Sequence, residues 1–412
     1  MFDHVARARH LPFFAELAEL EDGDVAWRSV SAGLVVLRLV DSWIEEGAAA
    51  MAADGWGIRS VDAAIEEMPT GLPARAVLRS IVEAVKSSPT GDMHAIAPRL
   101  MAYARSLDLD AKWALSADVY ETVIAHVHPI DESDVAITAH LRLAFSLREL
   151  GLIDRSAAAC DDASVLAQSV GDMVGVLRAQ IGRARIAVTL GNLPDAERHL
   201  DDAITRAGSE GLSDVRAVAL QERANVAHLR GRYDLAVRLA YEALGDTQDP
   251  INRDRLLLDI AGSFFMLGAR SVARDAYLIL EATAQEQYQR WVAAINLMEL
   301  AAAEGAATVF ERYRRHLLEQ PLMPALQTQL HLHIGCGYAD LGEPLAARAA
   351  LTTARVLAER YQLNRLLFAA DERLSTLGER APTHAREERL EAPDLREIAA
   401  ELRARGRELA SR

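Results

Sequence analysis

The stretch HLHIGCGY, residues 331–338, gathers His331, His333 and Cys336, the residue types that ligate zinc. On one helix His333 and Cys336 are three apart and share a face, whereas His331 and His333 point in different directions. This spacing leaves a metal or enzyme reading as the least favoured one, with structural roles for all three. The overlapping GCGYADLG has Gly335 and Gly337, but no strand precedes it and Asp340 stands where a dinucleotide fingerprint needs its third glycine. HVHP, His126 to Pro129, reads as a helix end. The acidic pairs Asp161–Asp162 and Asp201–Asp202 read as solvated helix faces. No phosphate-loop lysine, zinc-protease helix or Gly-x-Ser-x-Gly elbow occurs. The expectation is therefore a non-enzymatic protein with no catalytic residues, no metal and no cofactor.

The elements around these residues are helical by composition. Of 412 residues half are hydrophobic and only 5% aromatic, and Ala, Leu and Arg are abundant, which favours helix over strand. A net charge of −15 gives no general field for phosphates, so nucleic acid is not an expected partner. The two cysteines, Cys160 and Cys336, supply no disulfide framework and suit a reducing cytoplasm. The N-terminal MFDHVARARHLPFF has no signal-peptide core, and GLVVLRLV (33–40) is too short to span a bilayer. A cytoplasmic protein without membrane insertion is expected.

The organising feature is a period. Gly151, Gly191, Gly231, Gly268, Gly305 and Gly342 are spaced by 40, 40, 37, 37 and 37 residues, and two further steps of 40 reach Ala111 and Gly71. Seven residues before each marker stand Ala64, Ala104, Ala144, Ala184, Ala224, Ala261, Met298 and Gly335, all small but one. Five residues after come Ala196, Ala236, Ala273 and Ala347, with Ser156 and Phe310 departing. Twelve after come Ala163, Ala203, Ala243 and Ala354, with Leu280 and Leu317 departing. Small residues let two antiparallel helices approach, and glycine supplies the left-handed turn between them. A period of this length marks stacked helical hairpins.

These columns resemble the tetratricopeptide repeat, in LGNLPDAERHLDDAI (190–204) and LRGRYDLAVRLAYEAL (229–244) above all. The extended 37–40-residue step resembles repeats of bacterial regulatory and adaptor proteins. The resemblance is firmest over 94–375 and continues in register to about residue 58. It implies an all-α, right-handed superhelical solenoid of about eight hairpins over 58–378. Residues 1–57 then form an N-terminal helical cap built on a helix from about Val25 to Glu46, and 379–412 form a charged C-terminal tail or capping helix.

In the resembling family the first helix of each hairpin lines the concave groove. That register turns Arg105, Arg142, Phe145, Arg178, Arg185, Gln221, Asn225, Arg255 and Asn296 inward, with Leu141, Ile181 and Leu258 between them. Guanidinium groups pair bidentately with carboxylates. The resemblance thus implies a scaffold or adaptor that binds a protein or peptide, an acidic one if these arginines contact it. The competing reading pairs the arginines with neighbouring acids such as Glu222 or Asp259. A second functional reading is a regulatory sensor whose array changes shape on binding, hinged in the atypical repeats from Leu280 to Arg314. Self-association and occupation of the groove by the tail are both left open.

Overall fold

The computed structural model describes residues 9–46, 56–88, 93–377 and 390–410. They form twenty α-helices and one short 3-10 turn, and among the described residues there is no strand. The chain divides into two compact units, Met1–Gly182 and Arg183–Arg412, where the sequence predicts one continuous array. The division falls inside a helix.

In the first unit α1 (Leu11–Glu19), α2 (Val25–Glu46), α3 (Trp56–Glu66) and α4 (Pro73–Ser87) precede α5 (Ala97–Leu109) and α6 (Trp113–His126). Then come α7 (Ser133–Glu149), α8 (Ile153–Ser169) and α9 (Met173–Thr189), which carries the division. The second unit continues with α10 (Leu193–Ser209), α11 (Ser213–Leu229), α12 (Tyr233–Asp246), α13 (Pro250–Met266) and α14 (Arg270–Thr283). It ends with α15 (Gln287–Ala303), α16 (Ala307–Leu318), α17 (Pro324–Asp340), α18 (Pro344–Arg360), α19 (Asn364–Ser375) and α20 (Pro393–Ala410).

The marker residues sit between the two helices of each hairpin. At Gly231 φ is 71°, its N–H donates to the His228 carbonyl and the Arg232 N–H donates to the Ala227 carbonyl, 2.9 Å each. This closes α11 in a left-handed cap that glycine enters without a Cβ penalty. Ala111 occupies the same conformation at φ 56° and bears that penalty. Pro194 and Pro344 fall in the first turns of α10 and α18, where no amide hydrogen is missed.

The small-residue columns are buried as close helix approach requires: Ala184, Ala224 and Ala261 are all within 2% of fully buried. The departures have visible compensations. Ser156 is buried and its hydroxyl donates to the Ala144 carbonyl at 2.6 Å. Phe310 replaces a small residue on α16, and α17 makes room for it with Gly337, where a Cβ would overlap the Phe310 ring. Met298, Phe310 and Leu317 then close one apolar cluster.

At the N-terminal end α2 packs on α1, α3 and α4. Its Gly33 lies against the buried Tyr103 of α5 so closely that any Cβ would collide with the phenol. His10, 4% exposed, caps α1 and binds Asp118 of α6 at 2.6 Å and Asp41 of α2 at 3.1 Å. Burial pulls the imidazole pKa down, but the two carboxylates outweigh it and hold it up at about 9.

Among the described residues no helix is long and apolar enough to cross a membrane.

Candidate functional site

In the second unit successive first helices pack on one another: α11 on α13, α13 on α15, α15 on α17 and α17 on α19. Successive second helices make at most marginal contact. The first-helix face is therefore the tight side of this array and the second-helix face the splayed side.

A ladder of polar contacts runs along the tight side. Arg185 reaches Glu222 of α11 at 2.7 Å, and Gln221 donates to Asp259 of α13 at 2.8 Å. Arg255 lies 3.8 Å from Glu286, and Glu299 of α15 is 2.9 Å from His333 of α17. The residue six before one turn thus meets the residue nine before the next, as Arg185 with Glu222 and Glu299 with His333. Water reaches Asp259, yet protein surrounds it closely. That loss of hydration, with Glu222 nearby, moves its carboxyl upward against the Gln221 hydrogen bond and Arg255. Arg185 and Arg255 accordingly face acids of their own chain. Asn225 is exposed and Asn296 half-buried on the same face.

The first unit is arranged differently. By the same register Arg105 of α5 and Arg142 of α7 stand where the second unit places opposite charges. Both act electrostatically on the buried Tyr120. Beneath them Asp108 accepts from Tyr120 at 2.8 Å and from Ser146 at 3.0 Å, and Ser116 bonds Ser146 at 3.0 Å. Burial pushes the Asp108 carboxyl up; Ser116, Tyr120, Ser146 and Arg142 act the other way. Arg178 is exposed on α9. Phe145 meets Trp113 edge-on at 5.4 Å and carries Arg148 over its ring at 5.2 Å.

Some expected neighbours lie elsewhere. Ile181, expected between the arginines, is 1% exposed and belongs to the core. Leu141 and Leu258 are half-buried against apolar clusters. Glu286 and Glu299 were not anticipated; only the repeat register, applied to acids as well as arginines, points to Glu299. His333 is taken by Glu299, which outweighs burial and raises the imidazole pKa, while burial lowers that of His331. Burial also pushes the Cys336 thiol up to about 11. Among the described residues no group of three or more His, Cys, Asp or Glu could hold a metal ion.

The C-terminal helix does not use the tight face. Leu395, Ile398, Ala399 and Leu402 of α20 are buried on the second helices α14 and α12.

These features describe an all-α array of antiparallel hairpins with tetratricopeptide-like turns and small-residue contacts. Among solved structures, the chain is similar to a tetratricopeptide repeat protein from Parabacteroides merdae. The identity is 12% and the TM-score 0.42, over 67% of this chain and 98% of that one. It is also similar to BtubC (BKLC) from P. vanneervenii, at 14% identity and a TM-score of 0.38, over 52% of this chain and 92% of that one. No protein-family model matches the chain, and no curated protein matches it.

Proposed function

We propose that the chain is a non-enzymatic scaffold or adaptor that binds a protein segment on its first-helix faces, with Arg105 and Arg178 of the first unit taking carboxylates of the partner. The observation that carries this reading is the contrast in register. Where the second unit sets Arg185 against Glu222, the first unit's Arg105 and Arg178 stand exposed on their first helices. Exposed guanidinium groups gain from an acidic partner, because guanidinium–carboxylate contacts are among the stronger polar interactions. The second unit's first-helix face, already supplied with acids, contributes complementarity and little charge.

The test is affinity capture from the native organism's lysate with mass spectrometry, comparing wild type with Arg105→Glu/Arg178→Glu and with Arg185→Glu. The reading expects a retained protein to be lost in the first variant and kept in the second, with circular dichroism unchanged in both. Retention by the first variant as strong as by wild type contradicts it.

A further inference from the structure

Each unit has a furrow of the same construction, bounded by two second helices with a first helix between them. In the second unit the furrow of α12 and α14 holds α20. This helix buries Leu395, Ile398, Ala399 and Leu402, and its charges are met on both flanks. Asp394 pairs with Arg238 at 2.5 Å, Glu401 accepts from Tyr241 at 2.5 Å, and Arg403 donates to Ser271 at 3.1 Å beside Asp275. In the first unit the furrow of α6 and α8 over α7 is an open cleft of about 320 Å³. Its floor is Ile124, Leu143, Leu147 and Ala158.

The open furrow differs from the filled one in charge. Counting from the turn residues, Tyr241 corresponds to Glu121, and Ile279 corresponds to Asp162. Arg155 answers Glu121 at 2.5 Å, which leaves Asp162 as net negative charge on the rim. His140 lines the cleft with a buried Nδ1 that has no partner among the described residues, and burial favours its neutral form. Small-molecule pockets enclose most of their ligand, whereas this cleft lies open to solvent, with the Glu121–Arg155 ion pair joining α6 and α8 across it.

We propose that the α6/α8 furrow is a docking site for an amphipathic helix of a partner protein, with a stripe of small and aliphatic residues on the floor and Lys or Arg on the flank facing Asp162. The second unit supplies the precedent within the same chain: a furrow of this kind receives a helix whose flanking charges oppose those of its rim. Helix-in-groove recognition works by the same pattern of apolar anchors one turn apart. This surface is distinct from the first-helix faces and does not depend on their role.

The probe is a fluorescent peptide of residues 390–410 carrying Asp394→Lys, Glu397→Lys and Glu401→Lys, titrated into the full chain by anisotropy. It is compared with the unaltered peptide and with a scrambled peptide of equal charge. The expected result is saturable binding at least tenfold tighter than for either comparison peptide. Ala158→Trp, at an exposed position, fills the furrow and weakens binding at least tenfold, and Asp162→Lys weakens it severalfold. Unchanged affinity for Ala158→Trp at native helicity overturns the site. Equal binding of the scrambled peptide reduces the effect to the general charge of the chain and overturns it too. Tighter binding of the unaltered peptide makes a second copy's terminal helix the occupant and overturns the proposed chemistry.

Discussion

The furrow between α12 and α14 and the furrow between α6 and α8 share their turn geometry, their splayed second helices and an apolar floor. One is covered by α20 and the other is open. The hairpin repeat sets the furrow itself, because second helices lie too far apart to close against each other. Whether it is filled depends on rim residues that the repeat leaves free to vary: Arg238 and Tyr241 on one rim, Glu121 and Asp162 on the other. A repeat scaffold thus acquires different surfaces from one backbone pattern.

The largest expected effect comes from breaking the filled furrow. Ile398→Asp with Leu402→Asp removes two buried aliphatic side chains and is expected to cost the second unit about 3–5 kcal/mol in denaturant unfolding. The same charges at Ala125→Asp and Ala158→Asp, on the exposed surface of the open furrow, are expected to shift stability by under about 0.5 kcal/mol. Equal costs at the two places erase the contrast.

The next effect separates the units by pH. The folded-state pKa of His10 is raised to about 9, so its contribution is fully present below about 6.5 and is lost as pH rises through 9. His10 ties α1 and α2 to α6, one wall of the open furrow. Between pH 6 and 10 the first unit is expected to lose stability on the order of 3 kcal/mol through this group, and the loss disappears in His10→Gln. Unfolding curves of the two proteins at both pH values decide it.

Smaller still is a turn exchange between the units. Ala111→Gly relieves a Cβ at φ 56° and is expected to stabilise by about 0.5–1 kcal/mol, while Gly231→Ala costs about 1 kcal/mol. Opposite signs in thermal melts are the check. The smallest effect is that of Arg238→Leu, which loses the exposed contact to Asp394. It is expected to move the midpoint only slightly, and 1 M salt removes the difference from wild type.

Much of the fold is legible in the sequence because its determinants are local. The turn glycines, the prolines that follow them and the buried alanine columns act within one hairpin, and α2 runs over the interval its apolar content predicts. Contacts between hairpins are less legible. Phe310 reads as a defect until Gly337, twenty-seven residues later, is seen to accommodate it. Leu280, Met298 and Phe310, in the stretch expected to act as a hinge, are fully buried. The arginines of the first-helix face are found by register, but the rotation between hairpins decides that Arg185 meets Glu222 and Ile181 turns into the core. The stripe of Leu395, Ile398 and Leu402 announces a helix with one apolar side. Its destination on α12 and α14 is a long-range choice, settled by surfaces 132 to 160 residues away.

Hydrogen exchange followed by mass spectrometry, on wild type and on Ile398→Asp/Leu402→Asp at the same pH, tests the comparison of the furrows most directly. The exposed faces of α12 and α14 are expected to exchange slowly in wild type and to become as fast as those of α6 and α8 once α20 is undocked, with α6 and α8 unchanged. If α12 and α14 keep their protection in the variant, α20 does not cover them, and the distinction between a filled and an open furrow is wrong.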